Sequence, residues 1–188
     1  MANVDRPIGL RPLRHLGGGE VRMNGYTIAS GYNTALGAGD PVKMAGTGRN
    51  IEVAAASESN CIGVFYGVSY TNQAGERKYS TYWPANTVAT EIEAMVFDDP
   101  MISYRAQIDT VAATDVGALV DFVLGTPSAV TGLSGCELTA TGASADEKPA
   151  RIIGLIDEPH NAYGAHADVE VMLMAHALRG IADADGGS

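Results

Sequence analysis

The sequence predicts a mainly β protein: an antiparallel β-barrel or sandwich-like core with an extended N-terminal arm and at most one short helix. Aromatic residues make up only 6% of the 188 residues while Gly, Ala, Thr and Val abound, a composition of short strands and many turns. Apolar and polar residues alternate over several stretches, the period of a strand with one wet face. Gly clusters and Asp-Pro pairs punctuate those stretches.

Residues 1–22 contain Pro7, Pro12 and the triplet Gly17 to Gly19, so they hold no helix and carry too little apolar surface to fold alone. Ile8, Leu10, Leu13 and Leu16 are spaced between Arg6, Arg11, Arg14 and Arg22. This mixture suits an extended strap that becomes ordered on a partner; the alternative is a disordered terminus. A β-rich body is expected over residues 23–179 and a flexible acidic tail over 180–188.

Within the body, Tyr26, Ile28 and Tyr32 fit short edge segments. Val42-Lys43-Met44 and Asn50 to Ala54 alternate around Gly46 and Gly48 as a hairpin. Cys61 to Tyr70 is β-branched and aromatic, and Gly63 and Gly67 on it let a second layer approach or a sheet bend. Thr71 to Lys78 reads as a polar loop returning through Tyr79 to Trp83. Thr87 to Phe97 and Met101 to Ile108 read as partners across an Asp98-Asp99-Pro100 turn, with both aspartates solvated. Thr114 to Val120 is the one plausible helical turn, capped by Thr114 and shortened by Gly117. Phe122-Val123-Leu124 is expected to return to strand, residues 125–149 are expected as loop or peripheral hairpin with Glu137-Leu138-Thr139 extended, and Arg151 to Ile156 and Asp168 to Met174 are again strand.

Net charge is −10, yet residues 1–22 set four arginines against Asp5 and Glu20, a local balance of +2. A basic arm on an acidic body points to contact with a separate acidic surface and argues against nucleic acid, whose binding needs broad Lys and Arg clusters. No apolar run reaches the ~18 residues of a membrane helix, and no signal-peptide core is present, so neither membrane nor secretion is expected. Cys61 and Cys136 are expected as reduced, buried thiols, with a single disulfide as the alternative.

Glycine clusters at 37–39 and 46–48 lack the spacing of a phosphate cradle. Gly132 to Cys136 misses the last glycine of a serine-nucleophile elbow. Asp157, Glu158, His160, His166 and Asp168 are the best enzyme-like cluster, but Pro159 and Gly164 make it a loop, and a metal prefers ligands on fixed elements. His15 and His176 show no readable acid/base partner. No catalytic residue, metal or cofactor is expected.

The opening Met1 to Leu16 with Asn24-Gly25-Tyr26, then Ala38 to Val42, Gly63 to Tyr70, Ile152 to Leu155 and Asn161 to Ala165, resembles capsid decoration (cement) proteins of tailed bacteriophages, particularly those infecting marine bacteria. The resemblance spans most of the chain and its motifs are structural. It implies a β-rich protein, made in the host bacterial cytoplasm, that binds the outer surface of the expanded icosahedral head as a homotrimer and strengthens it. The major capsid protein is then the partner, and Arg6, Ile8, Leu10, Arg11, Leu13, Arg14, Leu16 and Arg22 form the capsid-binding arm. A β-barrel carbohydrate-binding or tail-associated adhesion module using Tyr66, Tyr70, Tyr79, Tyr82 and Trp83 is the alternative; a metal-dependent barrel enzyme using the 157–168 cluster is a third reading.

Overall fold

A computed structural model of the chain describes residues 3–140 and 148–179; the predicted acidic tail, 180–188, lies outside them. The described residues form strands β1 (Arg11–His15), β2 (Asn24–Tyr26), β3 (Leu36–Gly37), β4 (Pro41–Met44), β5 (Ile51–Val53), β6 (Cys61–Asn72) and β7 (Arg77–Ser80). After these come β8 (Tyr82–Trp83), β9 (Ala89–Phe97), β10 (Ile102–Val111), β11 (Leu119–Val123), β12 (Glu137–Thr139), β13 (Ala150–Leu155) and β14 (Gly164–Leu173). One 3-10 turn, Ala113–Asp115, is the only helical element among the described residues. The mainly β fold with at most one short helix is thus what the chain adopts.

One sheet runs β1-β10-β12-β11-β13-β14 and closes through a further β10–β14 pairing into a five-stranded barrel, with β1 added outside. Tyr104, Ala106 and Ile108 of β10 point into it, as the alternation requires, and meet Ala167, Val169, Val171 and Leu173 from β14. The second sheet runs β2-β9-β6-β4-β5, with β7 also on β6. It curls until its end strands meet, where Ile51 N–H donates to Thr27 O at 2.8 Å. Its own core gathers around Phe65, Trp83, Ile28 and Ile51.

The β4–β5 hairpin forms as read, pairing Val42 with Val53 and Met44 with Ile51. Gly63 is a point of close backbone approach: its φ is +151°, and a Cβ there would meet the Phe97 carbonyl of neighbouring β9 at 2.1 Å. The helical turn read over Thr114 to Val120 spans only Ala113–Asp115 with Ala112 at its N-cap, and β11 begins at Leu119; three readings of the strands change as well. First, β9 and β10 do not pair; β9 joins β2 and β6, while β10 joins the barrel. Asp98-Asp99-Pro100 therefore carries the chain between sheets, and Asp98 is buried, not solvated. Second, β7 begins inside the stretch read as polar loop, leaving a tighter hairpin with β6. Third, β12 is a barrel stave, not periphery, with Cys136 and Leu138 fully buried. Both cysteines are free and buried, and burial pushes the Cys61 thiol up to about 12.

Candidate interaction surface of the N-terminal leader

The leader docks on its own chain from Asn3 to Leu16. Asn3 Nδ2 donates to the Ala162 and Ala165 carbonyls at 2.8 and 2.9 Å. Gln107 then grips the backbone at two points, accepting from Arg6 N–H at 3.0 Å and donating to Val4 O at 2.8 Å. Gly9 and Leu10 cross between the sheets, Gly9 N–H donating to Cys136 O at 3.1 Å and Leu10 N–H to Gly39 O at 2.9 Å. Beyond them β1 pairs antiparallel with β10 and forms the end strand of its sheet.

This placement sorts the predicted arm residues. Leu10 is 0% exposed inside the barrel core, so it anchors the leader to its own body and cannot anchor a partner. The expectation of a strap with too little apolar surface to order by itself is corrected accordingly: Leu10 and the β1–β10 ladder supply what the composition of residues 1–22 did not show. Ile8, Arg11 and Leu16 are half-buried. Arg6, Leu13, Arg14 and Arg22 lie on the outside, Leu13 at 46% exposure. Arg14 forks onto Glu170 at 2.8 and 3.0 Å, and the pair raises its pKa through the shared hydrogen bonds and charge. Residues Gly17 to Met23 carry no strand, and Val21 and Met23 are exposed.

His15 has partners the sequence hid. Its Nδ1 accepts from the Gly17 and Gly19 N–H groups at 3.1 and 3.0 Å, while Nε2 sits 3.2 Å from Asp99. It fixes the turn that ends β1. His176 is fully buried, with Nδ1 accepting from Leu178 N–H and Nε2 unpartnered.

The 157–168 cluster does not converge on an open coordination site. Arg105 occupies it, donating to Glu158 at 2.6 and 2.9 Å and to Asp168, while Asp157 and His160 are exposed. Among the described residues one ligand-like grouping does form, sharing only His166 with that cluster: oxygens of Asp5 and Glu137 and a ring nitrogen of His166 lie within 4.8 Å of one another. Burial, Asp5 and Asp109 raise the Glu137 pKa against His166.

Of the predicted sugar-platform aromatics, Trp83 is fully buried with Tyr70 edge-on to it at 5.2 Å. Tyr66 and Tyr79, 45% and 80% exposed, do face one open groove of about 780 Å³ beside Ser69, Ser80 and Glu93.

No protein-family model matches the chain, and neither a characterised protein nor a solved structure was found that is similar to it.

Proposed function

We propose that the chain is a capsid decoration protein, bound as a homotrimer to the outer surface of an expanded bacteriophage head through the outward face of its leader. The observation that carries the reading is the leader's construction. It is fastened to the body by Leu10 and β1, yet it presents Leu13, Arg22, Val21 and Met23 outward from an end strand and the segment after it. Cationic and apolar groups on a preordered edge suit a protein surface, and preordering lowers the entropy lost on docking. The acidic remainder of a chain of net charge −10 limits adhesion between neighbouring heads. Resemblance to decoration proteins supplies the identity of the partner, the major capsid protein. Three leaders on one trimer raise avidity by ~10² or more when all engage at once.

Co-sedimentation with heads lacking the protein tests this. Leu13→Asp combined with Arg22→Glu alters only outward groups and is expected to abolish binding while the melting temperature holds. Retained binding by that variant removes the leader from the contact, and absence of wild-type binding removes the reading.

The groove of Tyr66 and Tyr79 favours a second reading, a glycan-binding module. Exposed aromatic faces beside the Glu93 carboxylate and serine hydroxyls are the groups that stack on and hydrogen-bond to sugars. A glycan array with wild type and Tyr79→Ala decides it; no retained glycan ends it.

A further inference from the structure

The leader's arginines are not equivalent. Arg14 has Glu170, and Arg105 on the adjacent strand has Glu158 and Asp168. Arg6 and Arg11 have no carboxylate within ion-pair distance among the described residues, and the Arg11 Nε is buried without a hydrogen-bond partner. The contrast appears in proton affinity: burial lowers the Arg11 pKa, opposed only by the Tyr66 phenol, whereas the hydrogen bonds they donate to their carboxylates raise Arg14 and Arg105.

Between Arg6 and Arg11 opens a cleft of about 310 Å³, whose other polar walls are Arg105, Gln107 and Asp168. Those three are already engaged. Gln107 holds the leader backbone on both sides of its amide, and Asp168 is bound by Arg105. Among the described residues that line the cleft, the Arg6 and Arg11 guanidiniums are then the groups without a protein counter-charge, and the Arg11 Nε is buried without a partner. A partly buried cation without a counter-charge is costly, and an incoming anion relieves that cost while making charge-assisted bonds of its own.

We propose that this cleft is a carboxylate site: it receives an Asp or Glu side chain of the partner protein, held between the Arg6 and Arg11 guanidiniums. That the partner is a capsid subunit rests on the decoration reading; the anion site itself rests on the cleft. A nucleic acid is disfavoured, because a polyphosphate needs an extended cationic track and this chain carries net charge −10 around one small cleft. A carboxylate suits the fork geometry of arginine, and the cleft of about 310 Å³ has room for the side chain that carries it.

The probe is a fluorescein-labelled hexaglutamate peptide, followed by fluorescence anisotropy at low ionic strength with the full chain. Wild type is expected to bind, and Arg6→Gln and Arg11→Gln each to weaken binding about ten-fold or more, the worth of one charge-assisted bond. Arg151→Gln, an exposed arginine of β13 outside the cleft, is expected to bind as wild type; equal loss there would mean diffuse charge attraction and overturn the site. The Arg6 side chain makes no hydrogen bond or ion pair among the described residues and is exposed, so its variant reports even if Arg11→Gln misfolds. Peptide binding unchanged in Arg6→Gln, or none by wild type, also overturns it. Inorganic phosphate competing more strongly than glutarate would overturn the carboxylate assignment. Head co-sedimentation separates the two inferences. Wild type failing to bind heads while binding the peptide sinks the decoration reading alone. Heads bound equally by wild type and Arg6→Gln sink the cleft as the capsid contact and leave that reading standing.

Discussion

Tyr26 donates its phenolic proton to Asp98 across 2.7 Å of buried interior, and the Asn24 amide donates to both oxygens of the same carboxylate at 2.8 and 3.0 Å. Burial, then the bond to Asp98, pushes the Tyr26 phenol up to about 12. The triad pins β2 to the point where the chain leaves β9 for the barrel. Asp98→Ala strands two donors and is expected to cost ~1–3 kcal/mol, whereas Tyr26→Phe leaves Asn24 in place and costs ~0.5–1.5. Urea unfolding midpoints at constant slope measure both. If the two variants were equally mild, the carboxylate would be hydrated and the triad would not fasten the sheets.

A leader integrated into the fold makes a prediction that a loose strap does not. Leu10→Ala empties a fully buried position and is expected to destabilise the whole protein by ~2–5 kcal/mol. Leu13→Ala, on the exposed face of β1, is expected to stay within ~0.5 kcal/mol. Thermal unfolding of the two side by side checks this. Deleting residues 1–22 outright would remove core and contact surface together, so point variants on the outer face are the cleaner test of docking.

Crossing between the sheets at Gly9 sets a tighter demand. Its φ is +72°, and a Cβ would lie 2.5 Å from both the Gly39 carbonyl oxygen and the Ser134 side chain. Gly9→Ala therefore strains the backbone and collides with atoms that cannot swing aside, and its cost is expected to exceed the ~1 kcal/mol of an ordinary positive-φ glycine. Hydrogen exchange is the readout: the Leu10 and Gly9 amides, now bonded to Gly39 and Cys136, should lose protection before the β10 amides do.

Local pattern carried the strands but not their partners. Val42-Lys43-Met44 and Ile51-Glu52-Val53 were legible as a hairpin because turn and alternation lie within a dozen residues, and the inward face of β10 followed from its period alone. Nothing in that period says that β10 pairs with β14 instead of the preceding β9; pairing depends on which sheet each strand reaches, a property of the whole chain. Glu137-Leu138-Thr139 is too short to show periodicity, so its place in the barrel was invisible. At the interaction surface the arginines were readable, but which of them is neutralised was not. Arg14 finds Glu170 156 residues away, and only the fold shows that Arg6 and Arg11 find no such partner among the described residues.

His176 gives the protein a pH response distinct from that of its carboxylates. Burial, then the Arg179 charge, lowers its pKa below 6.5 against the weaker pull of Asp98 and Asp99, and its Nε2 has no partner to accept a proton's charge. The unfolded chain therefore takes up a proton near pH 6.5 before the folded chain does, and stability must fall as pH drops from 6.5 toward the lower folded value. Glu58 acts in a separate window: burial would raise it, but the Ala55 N–H and Lys43 outweigh that and hold it below 4.5, so its contribution is lost only as pH falls further. Stability measured by urea unfolding from pH 7.5 downward should show a first decline beginning near 6.5. His176→Gln, able to accept from Leu178 N–H without titrating, should abolish that first decline and keep the one below 4.5. A first decline that persists in the variant would assign it to another group.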